Sequence, residues 1–159
     1  MMLSKLAIDA LHRLGAETDV VQYKDVIAPN YDADEEKATG IPEPVRHFAQ
    51  RLERAQAFLI VSPEYNASIP GSLKNVIDWT SRLRPQPLWG HHGLLMSTSP
   101  RYNGGNRGCG RCAYRWNTWA PTSSRICSAC PTPTAGSPRT VRWPALKMPD
   151  GWIGRLTAS

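Results

Sequence analysis

The sequence has no long hydrophobic run, and acidic residues and cysteines are unevenly spread along it. No apolar stretch approaches the roughly 20 residues that a membrane-spanning helix needs, so the composition excludes a protein built on such helices. No signal-peptide pattern precedes Leu3, and we therefore expect a cytoplasmic protein without a membrane partner. The 159 residues suffice for one domain.

Charge and cysteine divide the sequence into two parts. Residues 1–98 hold 10 Lys and Arg against 12 Asp and Glu, whereas residues 99–159 hold 9 against 1. All 4 cysteines and 4 of the 6 tryptophans also lie in the second part. The net charge of +6 therefore describes neither part. We predict a domain over residues 1–108 and a basic tail, rich in Cys, Trp and Pro, over residues 109–159.

The first part alternates between helical and strand patterns. Apolar residues at helical spacing predict a helix from Leu3 to Leu14 that ends at Gly15, and further helices over residues 45–52 and 73–80. Short apolar or β-branched runs predict strands at residues 19–23, 57–61 and 93–97, with a polar surface loop at residues 28–40. This order predicts an α/β fold with a doubly wound parallel sheet, in which strand 57–61 is buried on both faces.

The most informative stretch follows the strand at residues 57–61. Residues 62–79 read Ser-Pro-Glu-Tyr-Asn-Ala-Ser-Ile-Pro-Gly-Ser-Leu-Lys-Asn-Val-Ile-Asp-Trp, which is a polar loop and then a helix. Loops at the carboxyl ends of parallel strands are where such sheets bind ligands. The stretch closely resembles the P-E-Y-N-x-S-x-P-G-x-L-K-N-x-I-D-W signature of the NAD(P)H-dependent FMN reductases, a flavodoxin-like family that includes quinone, azo-dye and chromate reductases.

This resemblance implies a set of cofactors and partners. It implies FMN, with NADPH or NADH as the reductant, and a small acceptor such as a quinone, an azo dye or a metal oxyanion. It also implies a homodimer or tetramer for an intact chain, and no specific nucleic-acid partner. Since the cofactor itself performs the redox step, we expect neither a catalytic side chain nor a metal site.

The resemblance also implies which residues contact the flavin. In the family, the loop that matches Pro63, Glu64, Tyr65 and Asn66 lies against the isoalloxazine ring, largely through main-chain groups. A second loop, after the strand at residues 93–97, matches a second flavin-side loop of the family. It contributes Ser99, Gly104 and Gly105.

The beginning of the sequence departs from the family pattern. In the family, a first strand and a phosphate loop of the type G-S-x-R-x-x-S-x-N precede the first helix, and here Met1 and Met2 lie essentially at that helix. That loop and helix normally hold the FMN phosphate. We therefore expect an N-terminally truncated, incomplete flavodoxin-like sheet that lacks its first strand, and weak or no binding of FMN.

The tail contains two C-x-x-C pairs, Cys109 with Cys112 and Cys127 with Cys130. Such pairs are typical of a structural zinc site, and the basic surroundings would suit a small nucleic-acid-binding module. The tail otherwise lacks helical or strand periodicity. Its mixture of Arg, Pro, Ser, Cys and Trp is what GC-rich coding DNA yields in the wrong reading frame.

Translating the tail in a reading frame moved back by one base tests the frame hypothesis. Every Cys and Trp codon begins with TG, so each becomes Leu, Met or Val when the frame moves back one base. Cys109, Cys112, Trp116 and Trp119 then become apolar at helical spacing, and a helix, a turn and a strand follow. We therefore favour a frame change near Gly108 that leaves the tail disordered and removes the last helix–strand unit. The alternatives are a zinc-binding module and an inactive truncated product.

Overall fold

The computed structural model describes residues 2–89, 91–99, 105, 107–112 and 125–131. The chain divides into two units, one comprising residues 1–19 and 133–159 and the other comprising residues 20–132. Helix α1, Met2–Arg13, is the element described in the first unit. Every other element below belongs to the second unit. None of the helices among the described residues combines the length and apolar character that a bilayer crossing requires.

The predicted first helix and its glycine terminus are confirmed. Gly15 has a φ of +76° and donates its N–H to the His12 carbonyl at 2.9 Å. Ala16 donates its N–H to the Leu11 carbonyl at 3.0 Å. These two bonds close α1 through a left-handed residue, a conformation that glycine adopts without a steric penalty.

The strand predicted at residues 19–23 is wrong. The backbone there forms no ladder with a described strand, and a 3₁₀-helix, Tyr23–Val26, begins at its end. The turn is closed locally, because the Gln22 N–H donates to the Asp25 carboxylate at 2.8 Å. Two adjacent valines made the segment resemble a strand, yet Val20 remains 52% exposed.

The loop predicted at residues 28–40 contains a helix, α2, Ala33–Thr39. The Asp32 carboxylate caps its start by accepting the N–H groups of Asp34 and Glu35 at 2.7 and 3.3 Å. Gly40 ends it with a φ of +78°. The prediction overlooked these terminal signals because α2 has no buried face, and so no apolar periodicity marks it.

The other predicted helices are confirmed with small changes of boundary. Helix α3 covers Glu43–Glu53 and buries Val45, Ala49 and Leu52. Helix α4 covers Gly71–Thr80 and buries Ile77, Trp79 and Thr80. Each follows a proline at the N-cap position. The apolar stripes therefore located both helices correctly, and α4 begins directly after the loop of the sequence signature.

Among the described residues, the sheet is parallel and has three strands, in the order β1–β2–β3. They are β1, Ala57–Pro63, β2, His92–Ser99, and β3, Arg125–Pro131. Helix α4 lies in the connection between β1 and β2, and helical residues 107–112 lie between β2 and β3. A parallel sheet with helical crossovers is the arrangement that the alternating pattern predicted, so the α/β class is confirmed.

Strand β1 is less buried than the sequence predicted. Its residues 58–61 are half-buried, and Ser62 is the buried residue of the strand. Its position explains this, because β1 lies at an edge of the described sheet. On the side of β2, the ring of Phe58 covers Gly93, its partner in the ladder. A side chain at position 93 would overlap that ring, so the absence of a Cβ there permits the packing.

The predicted boundary between residues 108 and 109 stays a prediction. Strand β3 and helical residues 109–112 lie beyond it, whereas residues 113–124 and 132–159 lie outside the described residues. Cys109 and Cys112 belong to an apolar cluster with Ile69, Ile77 and Leu95. The part of the tail that the structure describes is therefore packed against, or paired with, the first part of the chain.

Candidate functional site

The strand ends from which the two candidate loops start lie at the carboxyl edge of the sheet. Because β1 and β2 are parallel and in register, Pro63 pairs with Thr98, and the loops that follow both strands leave the same edge. Pro63 ends β1, and Ser99 ends β2. Gly104 and the side chain of Ser99 lie outside the described residues. The topology thus brings together two loops that are separated by more than thirty positions in the sequence.

The loop after β1 is a tight turn that sequence reasoning did not identify. Tyr65 and Ser68 exchange both main-chain hydrogen bonds at 2.9 Å. The two central residues are left-handed, Asn66 with a φ of +50° and Ala67 with a φ of +58°. Positive φ at both centres is the geometry of a type I′ turn, which asparagine tolerates and alanine does not favour. The turn holds the Tyr65 side chain 61% exposed.

This turn offers main-chain donors to a ligand. Among the described residues, the N–H groups of Asn66 and Ala67 have no hydrogen-bond acceptor, since the turn is closed by Tyr65 and Ser68. Such groups can donate to the carbonyl oxygens and ring nitrogens of a planar heterocycle. The exposed Tyr65 ring adds a flat apolar surface beside them. The turn therefore presents features suited to an aromatic ligand that carries hydrogen-bond acceptors.

Glu64 joins the loop after β1 to helical residues 107–112. Its Oε2 atom accepts a hydrogen bond from the main-chain N–H of Gly108 at 2.9 Å. Gly108 lies near the start of helical residues 107–112. That helix begins after Gly105, which is buried, has a φ of +92° and accepts the Cys109 N–H at 3.1 Å. The sequence predicted Glu64 as a site residue but not its bond to Gly108.

A small cavity lies between strands β1 and β2 and helical residues 107–112. Its volume is about 10 Å³, and its lining residues are Ile60, Ser62, Ile69, Leu95, Met96, Ser97, Gly108, Cys109 and Cys112. A cavity of that volume is on the scale of a single water molecule. The Oγ atom of Ser97, which is 2% exposed, has no hydrogen-bond partner among the described residues. This cavity is therefore too small to hold an organic ligand.

The second half of the sequence signature has a structural role. Asn75 of α4 accepts the Tyr31 N–H at 2.8 Å and donates to the carbonyls of Ala28 and Pro29 at 3.2 and 2.9 Å. Trp79, one turn later, also donates to the Pro29 carbonyl, at 2.8 Å. These bonds fasten residues 28–31 to the helix that follows the site loop. They explain why the signature extends beyond the loop itself.

An ionic cluster formed by Glu36, Tyr31 and Arg82 adds to the contact between residues 28–31 and α4. The Glu36 carboxylate accepts from the Tyr31 hydroxyl at 2.9 Å and from the Arg82 Nε at 2.8 Å. Desolvation acts to raise the pKa of Glu36, but the two hydrogen bonds and the charges of Arg82 and Arg84 outweigh it, so the pKa lies below its usual value. The hydrogen bond to Glu36 raises the pKa of Tyr31, and the same carboxylate raises the pKa of Arg82.

The cysteines of the first C-x-x-C pair are not arranged as a metal site. Cys109 and Cys112 are 2% and 4% exposed within the apolar cluster, and the Cys109 Sγ lies 3.5 Å from the Leu95 carbonyl oxygen. Cys127 and Cys130 belong to strand β3. Across the described ranges, no group of three or more His, Cys, Asp or Glu residues could hold a metal ion.

Known proteins resemble this chain in sequence and in fold. The family model of NADPH-dependent FMN reductase matches residues 1–121. A quinone reductase of Escherichia coli (strain K12) is 47% identical over 79 residues, which is 50% of this chain and 42% of that protein. A 2-hydroxy-1,4-benzoquinone reductase of Burkholderia sp is 45% identical over 71 residues, covering 44% of this chain and 36% of the relative.

A solved structure extends the likeness to the fold. The flavoenzyme FerB, an NAD(P)H:(acceptor) oxidoreductase from Paracoccus denitrificans, superposes with a TM-score of 0.61 at 27% sequence identity. The match covers 76% of this chain and 65% of FerB, and it confirms the flavodoxin-like fold class. The chain spans 42% of the length of the E. coli relative. Because the family model covers residues 1–121, the chain belongs to the NADPH-dependent FMN reductase family.

Proposed function

We propose that this chain forms the flavin-ring side of an FMN-dependent oxidoreductase site that takes hydride from NADPH or NADH and reduces a quinone. The observation that carries the proposal is the Tyr65–Ser68 turn at the carboxyl edge of a parallel sheet, where the N–H groups of Asn66 and Ala67 have no acceptor among the described residues. The family match and the names of the relatives, two of which are quinone reductases, support the same chemistry.

The residues present fit the ring of FMN. Its carbonyl oxygens and ring nitrogens need hydrogen-bond donors, and the main-chain N–H groups of Asn66 and Ala67 are available for them. Pro63, Glu64, Tyr65 and Asn66 would form one wall of the site, and Ser99, Gly104 and Gly105 the other. The buried, left-handed Gly105 allows the backbone of the second loop to come close to a flat ligand.

The chain's own residues bind and orient rather than react. Bound FMN would supply the redox chemistry, because it accepts a hydride from a nicotinamide and passes electrons to an acceptor. The turn would hold the ring through its main-chain N–H groups, and Tyr65 would shield part of the ring from water. No side chain needs to transfer a proton to the ring for this role, so we assign no catalytic residue.

The finer features of the proposal come from the family resemblance. The names of the relatives indicate a quinone as the acceptor, and azo dyes or metal oxyanions are further candidates. We also propose a cytoplasmic location and self-association into a homodimer or tetramer. We propose no specific nucleic-acid partner, because the basic tail would attract a polyanion through charge alone.

The test is an FMN titration of the purified chain, followed by quenching of the flavin fluorescence. Saturable quenching, then FMN-dependent consumption of NADPH or NADH that requires a quinone, would support the proposal. We expect weak binding. Riboflavin, which lacks the phosphate, serves as the matched ligand, and equal affinities for the two would show that the ring is what the chain recognises.

Two results would oppose the proposal. If the folded chain binds neither FMN nor riboflavin at millimolar concentration, the ring-side site does not form. If it binds FMN but the bound flavin is never reduced by a nicotinamide, the chain is a flavin-binding protein rather than a reductase. A chain that shows no cooperative unfolding in urea would instead support an inactive product.

A further inference from the structure

We propose that Glu64 is a positioning residue that fixes the Tyr65–Ser68 turn of the flavin site against helical residues 107–112. This inference rests on the proposed function for its consequence, while the contact itself is seen in the structure. The Glu64 carboxylate accepts the Gly108 N–H at 2.9 Å in partly buried surroundings. Glu64 and Gly108 are 44 positions apart in the sequence, so the bond joins separate segments at the site.

The close packing around Gly108 supports a fixed contact with Glu64. A Cβ atom built on this buried glycine would lie 3.4 Å from the Glu64 Cβ, 3.5 Å from the Glu64 Cγ and 3.1 Å from the Ser97 Oγ. The glutamate stem therefore packs directly against the backbone of residue 108. A larger residue at position 108 would press on both Glu64 and Ser97.

The chemistry of the contact favours a strong bond. The first N–H groups of a helix have no acceptor within it, so the N–H of residue 108 needs an external partner. A carboxylate is a stronger acceptor than a neutral oxygen, and partial burial reduces competition from water. Because Glu64 directly precedes the Tyr65–Ser68 turn, holding its side chain also limits where the N–H groups of Asn66 and Ala67 can lie.

This role differs from that of a general base or a direct ligand. A base must give and take a proton, and glutamine cannot do so. A positioning residue needs only an oxygen that accepts the Gly108 N–H, which glutamine retains at nearly the same size. Glu64→Gln should therefore largely preserve the site, whereas Glu64→Ala should not. Glu53→Ala is the matched control, because Glu53 is an exposed glutamate at the end of α3.

The first measurement needs no cofactor. Hydrogen–deuterium exchange of the Gly108 amide is followed by NMR in the parent chain and in the three variants. We expect Glu64→Ala to accelerate exchange at Gly108 by roughly tenfold or more, the range for losing a hydrogen bond to a charged group. Glu64→Gln should stay within a few-fold of the parent, and Glu53→Ala should match it. The urea midpoint of each variant separates this local change from global unfolding.

The second measurement is the dissociation constant for FMN. Glu64→Ala should weaken it roughly tenfold, Glu64→Gln by much less, and Glu53→Ala not at all. Gly108→Ala provides an independent perturbation and should weaken FMN binding although Glu64 is intact.

Each outcome decides something. If the Gly108 amide exchanges in Glu64→Ala at the rate of the parent, Glu64 does not hold residue 108. The inference is then wrong whatever the affinity for FMN. If Glu64→Ala changes the exchange rate of Gly108 but not the dissociation constant for FMN, Glu64 does not position the flavin site. Equal damage from Glu64→Gln and Glu64→Ala would show that the charge itself acts on the ligand, which also contradicts the inference. Failure of the parent to bind FMN would count against the proposed function. The exchange rate of Gly108 would still decide whether Glu64 holds residue 108.

Discussion

The indole N–H of Trp79 donates to the main-chain carbonyl of Pro29 at 2.8 Å and so joins α4 to a segment fifty positions earlier. Trp79 is 1% exposed, and its ring meets the edge of Tyr31 with centroids 5.1 Å apart. The Pro29 carbonyl also accepts from Asn75 at 2.9 Å. The tryptophan that closes the sequence signature therefore stabilises the scaffold behind the site.

Replacing Trp79 should destabilise the chain without altering the loop. Trp79→Phe removes the hydrogen bond and part of the ring, and we expect a loss of about 1–3 kcal/mol in unfolding free energy. Asn75 still satisfies the Pro29 carbonyl, which favours the lower end of that range. Urea unfolding measures the change. Trp89→Phe, at a residue 64% exposed, should stay within about 0.5 kcal/mol of the parent. Equal losses for both variants would contradict this account.

Glu36 should give the chain a pH-dependent stability in the acid range. Its pKa in the folded chain lies below the ordinary 4.5, because the hydrogen bonds and charges of Tyr31, Arg82 and Arg84 outweigh the opposing desolvation. The ionised carboxylate therefore stabilises the fold at pH values above about 4.5, and this contribution is lost as the pH falls through the lower, folded-state pKa.

The measurement compares the urea midpoints of the parent and Glu36→Gln across that range. The parent should be the more stable chain near pH 7, and the difference should shrink as the pH falls below about 4.5. Glu35→Gln is the control, since Glu35 lies beside Glu36 in the first turn of α2 and is exposed. A difference that is constant with pH, or that is equally large for Glu35→Gln, would refute the assignment.

Local signals in the sequence predicted most of the described elements. The helices that were found, such as α3 with Val45 and Leu52, bury an apolar stripe that can be read directly. Helix α2 was missed because it buries nothing, and its signals are the Asp32 cap and Gly40. The valines at positions 20 and 21 predicted a strand, but a strand exists only through a partner, which composition does not reveal.

The sequence predicted candidate site residues but not the geometry of their loop. The signature predicted residues 63–66 as site residues, and the parallel pairing places the start of their loop beside the end of β2. The bond between Glu64 and Gly108 joins positions that no local pattern relates. The positive φ of Ala67 could not be predicted either, because alanine rarely adopts it and it persists only where the surrounding fold imposes it.

Relieving that strain should stabilise the turn. Ala67→Gly replaces a left-handed alanine, which costs roughly 1–2 kcal/mol, with the residue that adopts this conformation freely. Since glycine also gives the unfolded chain more freedom, we expect a net gain of about 0.5–1 kcal/mol in unfolding free energy. Urea unfolding measures it. Ala38→Gly, at the exposed penultimate position of α2, should instead lose up to about 1 kcal/mol. A loss at both positions would show that Ala67 is not strained.

Cysteine substitutions distinguish a packed helix from a zinc module. Cys109 and Cys112 are buried in the apolar cluster, so Cys109→Ser and Cys112→Ser each place a hydroxyl there and should cost about 1–3 kcal/mol. Gly110→Ser is the matched control on the same helical turn. Gly110 is exposed, and a Cβ atom there meets nothing within 4 Å. The Gly110→Ser chain should therefore be as stable as the parent.

The chelator response separates the two models. In a packed helix, the serine substitutions act through burial, so a chelator should leave the urea midpoint of the parent unchanged. In a four-cysteine zinc module, metal binding contributes to folding, so chelation would lower that midpoint. The Cys127→Ser and Cys130→Ser chains would then lose bound zinc together with the first pair. Stoichiometric zinc released by any of these substitutions would therefore overturn the assignment of Cys109 and Cys112 to the core.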